Sequence, residues 1–424
     1  MSIYKVSRCG MFKRALIRSA LIGLALGLFI RPVGAEVVQI TAEFKPDPSR
    51  PNVNEFKNTT PNSGHCTRHE AQCKRWQIFS IGTLIELHAD RAIPARHTDP
   101  RQGAMFNVPA GWKDVPIFDT HGKASGVVQV RIAGIGGQYQ LSERVQQLIG
   151  RELDPVYAHS LLWREGSWLD PPPPCGMGGV TRSEDYTVEF FWTTPVEGVC
   201  SMQAAYDIPG FSYKSVDFAY QLQTPNPLKM APGVYTATTL YTVGPGADFD
   251  MGNIMQPTDG TIQLAFTLTV DHVFNIELPP GGHKVELIPQ GGWQAWLQQG
   301  RKPARLFRDQ TFNIWTSTPF KMQLKCAIEI GNTCGLRNEE GKEVPVQVAV
   351  SLPHGLADVT HSPVNKRPLQ LDGIGTEKFE PNVYVDRKPG TLHFEIRKES
   401  VEQMLAFDGR KYTGDVTVIW DSEV

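Results

Sequence analysis

The C-terminal stretch DGRKYTGDVTVIWD, residues 408–421, carries the pattern that decides the fold. From Tyr412 onward, every second residue in it is apolar, aromatic or glycine, which is the period of a β-strand with one buried face. The residues on that face are Tyr412, Gly414, Val416, Val418 and Trp420. We expect no further strand to pair with this one, since the sequence ends at Val424. We therefore expect a groove of unpaired backbone and exposed core that another chain fills.

The same alternation recurs upstream, bounded by many of the 39 Gly and 32 Pro residues. It is clearest in residues 186–192, 262–270, 344–352 and 392–396. Short alternating strands separated by turn residues predict an all-β architecture of two β-sandwiches. Only two short helices are predicted, one over Ser142 to Leu153 and one that opens at Ser400 with Gln403 as its capping-box partner and ends near Gly409.

The first 35 residues have the pattern of a secretory signal peptide. Five basic residues precede the apolar run Ala20 to Ile30, and Ala35 supplies a small residue for cleavage. The run is shorter than the roughly 20 residues that a membrane-spanning helix needs. We expect an exported mature chain that starts at Glu36, with a short N-terminal membrane anchor as the alternative.

Charge and length limit the function of the mature chain. Residues 1–35 hold six Lys/Arg and no Asp/Glu, so residues 36–424 carry 36 basic and 44 acidic side chains, a net charge of about −8. Such a surface has no global attraction for nucleic acid. The remaining 389 residues suggest two domains. We place them at 36–270 and 271–424, with Thr224 to Pro232 as a competing boundary.

Six of the seven cysteines lie in the mature chain and form three pairs that are close in sequence. An even number of cysteines fits disulfide bonds in an oxidising compartment. The expected bonds are Cys66 with Cys73, Cys175 with Cys200, and Cys326 with Cys334. Alternatively, His65, Cys66, His69 and Cys73 could be zinc ligands. We expect no metal and no cofactor.

Several further segments occur in the order found in a known family. They are IPAR (93–96) through RQGAMF (101–106), VRIAGIG (130–136), GVYTAT (233–238) with YTVG (241–244), and LTVD (268–271). In pattern and order the chain resembles the CblD-like pilus biogenesis initiators, which include the tip adhesins of class 5 fimbriae. The arrangement of the C-terminal strand likewise resembles that in subunits of chaperone-usher pili, whose immunoglobulin-like domains lack their last strand.

The resemblance implies a specific organisation. Residues 36–270 would form an N-terminal adhesin domain, and residues 271–424 an incomplete immunoglobulin-like pilin domain that accepts a donor strand. It also implies four partners: a periplasmic chaperone, an outer-membrane usher, the major pilin subunit and a host glycan or glycoprotein receptor. The chain would be exported through the periplasm to the fimbrial tip at the cell surface. The N-terminal domain is longer than the family pattern leads us to expect, and none of the family's receptor-contacting arginines aligns with this chain.

Two clusters in the adhesin domain are candidate receptor sites. Guanidinium groups donate paired hydrogen bonds to carboxylates and acidic sugars, and tryptophan faces stack on sugar rings. The first cluster is Arg91, Arg96, His97 and Arg101; the second is Trp163, Arg164, Trp168 and Arg182, around the proline run 171–174. A solvated face for the arginines and a core position for the tryptophans are the alternative interpretations.

Other functions are less well supported by the residues. The sequence has no nucleophile elbow and no phosphate-binding loop, and we expect no enzymatic activity. A secreted β-sandwich carbohydrate-active enzyme is one alternative, with its acid and base among Glu165, Asp170, Glu184 and Asp185. An ordinary mid-fibre pilin is the other, in which Glu36 to Phe44 would be a free donor strand. We instead expect Val38 to Phe44 to be the first strand of the adhesin domain.

Overall fold

The computed structural model describes residues 36–178, 182–300, 302–406 and 410–422. The predicted signal peptide, Asp408, Gly409 and the last two residues lie outside the described residues. Strands dominate throughout, which confirms the all-β prediction. In the described part of the chain, no helix is both long enough and apolar enough to cross a membrane.

Residues 36–270 contain the first fourteen strands and four short helices. In chain order they are β1 (Glu36–Phe44), β2 (Lys57–Asn58), α1 (His65–Arg68), α2 (Glu70–Trp76), β3 (Phe79–Gly82), β4 (Leu87–Ala89), β5 (Ala104–Phe106), β6 (Lys113–Phe118), β7 (Ala124–Leu141), α3 (Val145–Ile149), α4 (Pro155–Leu162), β8 (Gly176–Met177), β9 (Thr187–Thr193), β10 (Cys200–Met202), β11 (Phe211–Gln223), β12 (Gly233–Thr242), β13 (Met255–Pro257) and β14 (Thr261–Val270). Single 3-10 turns occur at Pro100–Gln102 and Pro227–Lys229.

One long sheet organises this first unit, in the order β13-β4-β11-β7-β6-β12-β14-β1-β2, with β3 and β9 attached to β11 and β7. Strand β14 lies between β12, which is antiparallel to it, and β1, which is parallel from Glu36 opposite Ile262 to Phe44 opposite Val270. Alternate side chains of β1 are buried, as the period-two pattern predicts. The strand Val38 to Phe44 therefore belongs to its own domain's sheet and is not a free extension.

Residues 271–422 contain the remaining elements. They are β15 (Phe274–Glu277), β16 (Ile288–Pro289), α5 (Gly292–Gln299), β17 (Leu306–Thr316), β18 (Lys321–Cys326), β19 (Glu329–Ile330), β20 (Thr333–Arg337), β21 (Glu343–Ser351), β22 (Leu356–Asp358), β23 (Arg367–Leu369), β24 (Phe379–Pro381), β25 (Val385–Ile396), α6 (Lys398–Ala406) and β26 (Val416–Asp421). The larger sheet has the order β15-β17-β25-β21-β20-β19, and β18 pairs with β26 in a second sheet.

Two large groups of buried apolar residues hold the chain together, one spanning residues 38–270 and the other residues 285–418, and a third, small group includes Ile78 and Ala133. Residues 271–284 lie between the two large groups. There His272 hydrogen-bonds the Met230 carbonyl oxygen at 2.9 Å and the Ser317 hydroxyl at 3.0 Å, one partner from each side of the junction. Tyr384 also donates its backbone N–H to the Pro51 carbonyl at 3.2 Å. These contacts join the two units directly.

The helix predictions were partly wrong. The predicted helix over Ser142 to Leu153 is only α3, because Gly150 turns into the left-handed region with φ 68°. A separate helix, α4, follows because Asp154 accepts from the Val156 N–H and a proline occupies the first helical position. Helix α6 begins at Lys398, so Ser400 lies inside it and does not cap it.

All three predicted disulfide bonds are present. The Cys66–Cys73 bond joins α1 to α2, the Cys175–Cys200 bond joins the segment after the proline run to β10, and the Cys326–Cys334 bond joins β18 to β20. Because both thiols of the first pair are used in a disulfide, they are not the zinc ligands of the alternative interpretation. No group of three or more potential metal ligands is found among the described residues.

Candidate functional site

Strand β26 lies at the edge of its sheet. Among the described strands it pairs with β18 alone, from Val416 opposite Cys326 to Asp421 opposite Lys321. In an antiparallel ladder, only alternate residues turn their N–H and C=O groups toward a given neighbour. The backbone of residues 416–420 therefore presents a second row of donors and acceptors along an open edge.

The side chains of this strand differ from the expected exposed core. Tyr412, Val416 and Val418 are buried, at 6%, 1% and 3% exposure, within their own domain. Trp420 is only half-buried, with its ring 4.9 Å from that of Phe312. The open feature is thus mainly a backbone edge with one partly covered tryptophan. The expectation of an apolar face left bare at Tyr412, Val416 and Val418 was wrong, because the domain's own core covers it.

Gly414 allows the segment before β26 to approach β20 closely. Thr413 and Arg337 exchange two backbone hydrogen bonds, of 2.8 and 2.9 Å. A Cβ atom on Gly414 would lie 2.6 Å from the Gly335 carbonyl oxygen, which is closer than real Cβ contacts allow. Gly414 therefore belongs to the structural support of β26.

The residues of the first predicted receptor cluster have separate contacts and do not form one site. Arg91 pairs with the adjacent Asp90 at 2.7 Å, and Arg96 is exposed with φ 56°. Arg101 forms a two-point ion pair with Asp250, at 2.7 and 3.2 Å, and the Asp250 side chain is only 6% exposed. His97 is buried. Arg101 thus neutralises a buried carboxylate, while Arg91 and Arg96 lie on the surface.

The predicted tryptophans lie in the core. Trp163 and Trp168 are 2% and 3% exposed, and their rings pack on each other with centroids 5.5 Å apart. Trp168 also stacks on Trp192 at 4.9 Å. This burial matches the alternative interpretation of the sequence, so we leave both tryptophans out of the proposed receptor site. Arg164 is exposed, and its backbone N–H donates to Gln203.

Arg182, the last predicted receptor residue, lines a pocket of about 260 Å³ over the main sheet. An irregularity in the sheet forms this pocket: the register between β7 and β11 shifts between Tyr213 and Ser215. Gly137 makes the shift possible, since its φ is 144° and a Cβ atom there would lie 2.0 Å from the Ser215 carbonyl oxygen. We call this space the bulge pocket. It is lined by His65, Arg68, His69, Gly137, Gln138, Arg182, Glu189, Phe190, Ser215 and Asp217.

Helices α1 and α2, joined by the Cys66–Cys73 bond, form one wall of the bulge pocket. His65 stacks between Phe191, with centroids 3.9 Å apart, and His69, at 4.5 Å. The His65 Nε2–H donates to the Gln72 side-chain oxygen at 3.0 Å. Burial lowers the pKa of His65 to about 4, so its imidazole is neutral near pH 7. The stack holds the wall in place without adding charge.

The charges in the bulge pocket are of both signs. The Arg68 guanidinium donates to the Glu189 carboxylate at 2.7 Å, and Arg182 pairs with Glu184 at 2.7 Å. Burial raises the pKa of Asp217 to about 6, and the nearby Arg68 opposes that rise. The two guanidinium groups are 61% and 73% exposed, so each keeps N–H groups that face solvent. This arrangement provides donors and acceptors for a hydroxyl-rich or carboxylate-bearing ligand.

Sequence reasoning identified Arg182 as a receptor residue, named His69 only as a possible zinc ligand, and missed Arg68 and Asp217. These residues come from three distant segments, and each is an ordinary charged or polar residue in its local context. The backbone irregularity that brings them together leaves no mark in the hydrophobic pattern. Gly137, beside the quoted segment VRIAGIG, was the only local signal, because glycine inside a strand often marks a bulge.

Solved structures similar to this chain include two from fimbrial or pilus systems. No protein-family model and no curated protein matches the chain. The crystal structure of CfaE, the adhesive subunit of CFA/I fimbria of enterotoxigenic Escherichia coli, is 11% identical and covers 92% of this chain and 98% of its own, with a TM-score of 0.21. The CsuC-CsuE chaperone-tip adhesion subunit pre-assembly complex from archaic chaperone-usher Csu pili of Acinetobacter baumannii is 9% identical and covers 91% and 98%, also with a TM-score of 0.21. At this level of similarity, no residue role is transferred to this chain.

Proposed function

We propose that this protein is the tip adhesin of a chaperone-usher fimbria and the subunit that initiates its assembly. The observation that carries the proposal is the open edge of β26, which pairs with β18 alone among the described strands. An extended segment of another chain would add to this edge through main-chain hydrogen bonds. In this arrangement residues 271–424 accept a donor strand from the major pilin, and residues 36–270 are the receptor-binding unit.

The order of the quoted motifs supports this role through their resemblance to the CblD-like initiators. Before assembly, a periplasmic chaperone would cover the edge of β26, and an outer-membrane usher would then secrete the subunit to the cell surface. The integrated position of β1 argues against a mid-fibre pilin, because β1 pairs along its whole length with β14 and offers no free donor segment. A subunit at the fimbrial tip accepts a strand and donates none, which fits a fully paired β1 and an open edge at β26.

The receptor site that we propose is the bulge pocket. Arg68 and Arg182 place two guanidinium groups at its rim, Gln138 and Ser215 supply neutral polar groups, and Asp217 supplies a carboxyl group that is mostly ionised at pH 7. Paired N–H donors suit a carboxylate, while the other groups suit hydroxyls. We therefore propose that the receptor is a host glycan or glycoprotein with an acidic sugar.

A binding role is favoured over hydrolysis by the contacts of the candidate acid and base residues. Glu184 pairs with Arg182, and Asp185 accepts from Arg144 and Gln146. Glu165 accepts from the backbone N–H of Gln203. Three of the four carboxylates named from the sequence are thus in contacts that hold loops together, and we propose no enzymatic activity.

The receptor proposal is tested with the full mature chain on an array of neutral and acidic glycans. Arg68→Ala and Arg182→Ala should each weaken binding to acidic glycans by about tenfold or more, the equivalent of one charge-assisted hydrogen bond. The thermal midpoint should change little, because both side chains are exposed. Arg308→Ala, on the exposed side of β17, is the matched control.

Arg91→Ala and Arg96→Ala in the same experiment examine the other predicted cluster. Normal binding by both Arg68→Ala and Arg182→Ala would contradict the bulge pocket as receptor site. Loss of binding in Arg91→Ala or Arg96→Ala instead would move the site to that loop. In either case the tip assignment would still depend on the separate test of β26.

Strand acceptance is tested by producing the full mature chain with and without its cognate chaperone. We expect the chain alone to aggregate or be degraded, because the edge of β26 is open to pairing with other chains. Co-expression of the chaperone should yield a soluble complex. Two results together would contradict the proposal: the lone chain stays monomeric, and its thermal midpoint does not rise when a donor-segment peptide of the major pilin is added.

A further inference from the structure

The bulge pocket continues into a second concavity along helix α2. That space measures about 790 Å³ and shares Arg68 and His69 with the bulge pocket. Its far end is formed by Arg75, Trp76, Leu169, Asp170 and Met177. Because Arg68 and His69 line both spaces, the two spaces form one groove. We call the far part the Trp76 subsite.

The structure holds Trp76 firmly at the floor of this subsite. Gln77, with φ 54°, ends α2 in a left-handed turn directly after it, and the Gln221 side chain donates to the Trp76 carbonyl oxygen at 2.9 Å. One part of the indole packs on the small core that contains Ile78 and Ala133. The side chain is only half-buried, so the rest of the ring faces the groove.

The two walls of the subsite are tied together. The Gln72 side-chain amide of α2 donates to the Gly178 carbonyl oxygen at 2.6 Å, at the end of β8. Strand β8 is in turn paired with β9, with Met177 opposite Trp192. The subsite is therefore a preformed cleft between α2 and the segment that precedes Gly178, which lowers the ordering cost of binding.

The polar groups at the subsite have few competing partners. Arg75 is exposed and makes no ion pair with any described residue, in contrast to Arg68, and Asp170 is exposed on the opposite wall. A planar donor, a carboxylate acceptor and an aromatic face are the groups that bind a hexose. The ring stacks on the indole, and its hydroxyls bond with the charged groups.

We propose that the Trp76 subsite binds a second sugar ring of the same receptor, so that the groove recognises an acidic sugar linked to a neutral one. The inference rests on the proposed receptor function of the bulge pocket. Helix α2 has seven residues, which corresponds to roughly 10 Å at about 1.5 Å per residue. A ligand that reaches both Arg68 and Trp76 must therefore be longer than a single sugar ring.

The test measures dissociation constants of the full mature chain for glucuronic acid and sialic acid, and for the same acidic sugars linked to glucose or galactose. The neutral ring should strengthen binding by about tenfold or more in the unaltered protein. Trp76→Ala should remove this gain while binding of the acidic monosaccharides stays unchanged, and Trp76→Phe should restore part of it. Tyr157→Ala, a 56% exposed aromatic on α4, is the matched control.

The outcomes separate the subsite from the proposed function. Equal affinity for monosaccharides and linked sugars, or an unchanged gain in Trp76→Ala, overturns the subsite alone and leaves the bulge pocket standing. Loss of monosaccharide binding in Trp76→Ala also overturns it, since that residue would then support the whole pocket. Failure of every acidic probe to bind overturns the receptor class and the subsite together.

Discussion

Strands β1 and β26 have similar patterns in the sequence but different surroundings in the fold. Both alternate apolar and polar residues, and both bury their apolar side chains in their own unit. Strand β1 pairs with β14 along its whole length and with β2 on its other side, whereas β26 pairs with β18 alone among the described strands. Side-chain periodicity therefore reports which face is buried and says nothing about how many neighbours the backbone has.

The largest effects should come from charges placed on the buried faces of these two strands. Val418→Asp should destabilise the C-terminal unit by about 4 kcal/mol or more, because it buries an unpaired carboxylate in a side chain that is 3% exposed. Fimbriae should be lost, while receptor binding by the N-terminal unit remains. Val416→Asp should behave in the same way. The measurements are chemical unfolding, counts of fimbriae and glycan binding on the same variants.

Thr417→Asp is the matched control for both changes, since Thr417 lies on the other face of β26 and is half-buried. Ile40→Asp makes the equivalent change in β1 and should abolish receptor binding by unfolding the N-terminal unit. Normal fimbriae on cells that produce Val418→Asp would remove the basis for β26 as the acceptor strand.

The disulfide bonds should show the next largest effects, and they differ between the two units. Under the chain-entropy description, replacement of Cys175 and Cys200 by serine should cost about 3.5 kcal/mol, and replacement of Cys326 and Cys334 about 2.5 kcal/mol. The difference follows from sequence separations of 25 and 8 residues. Denaturant unfolding of the double variants checks the order. An equal cost would show that local contacts outweigh loop length.

Much of the fold followed from the sequence because its causes are local. The strands at residues 262–270, 344–352 and 392–396 were predicted from alternation, and their apolar faces are buried, except that β21 ends at Ser351 and Leu352 is only half-buried. The disulfide pairs followed from short loops. The bulge pocket could not be predicted, because it depends on a register shift between β7 and β11 that only long-range pairing determines.

The errors also have physical causes. Trp163 and Trp168 were candidate sugar platforms because they adjoin arginines in sequence, but neighbours along an irregular segment need not face the same way, and both rings lie in the core. Trp76 was overlooked, since a single tryptophan at the end of a seven-residue helix has no pattern around it. The bare apolar face expected at β26 was wrong because the prediction did not include the rest of the core.

Arg101 should have a smaller effect, on stability and not on binding. Arg101→Ala leaves the 6% exposed carboxylate of Asp250 without its two-point partner, which should cost about 2 kcal/mol. Receptor binding by the folded protein should be unchanged. The double variant Arg101→Ala with Asp250→Asn should recover part of the loss, as unfolding and glycan binding would show. A binding defect without a stability defect would return Arg101 to the receptor site.

The smallest expected effect concerns the carboxyl group of Asp217 in the bulge pocket. Burial raises its pKa from 3.8 to about 6, against the opposing influence of Arg68 and with Glu189 adding to the rise. The folded chain therefore holds this proton more tightly than the unfolded chain, and the stability from it is fully present below about pH 4 and lost as the pH rises through 6.

Asp217→Asn lacks this titration. Between pH 4 and pH 7, the free energy of unfolding of Asp217→Asn should rise by about 1 kcal/mol relative to that of the unaltered protein. This figure allows for solvent screening of a half-buried group. Thermal midpoints of the two proteins at pH 4, 5, 6 and 7 measure the effect, and Asp114→Asn, which replaces an exposed carboxylate on β6, is the control. The thermal midpoints of Asp217→Asn and the unaltered protein could instead differ by a constant amount over this range. That result would mean that the carboxyl group is already ionised at pH 4. In that case the bulge pocket would carry the negative charge of Asp217 beside Arg68 at pH 4 as well as at pH 7, and any preference for acidic sugars at low pH would have to come from Arg182.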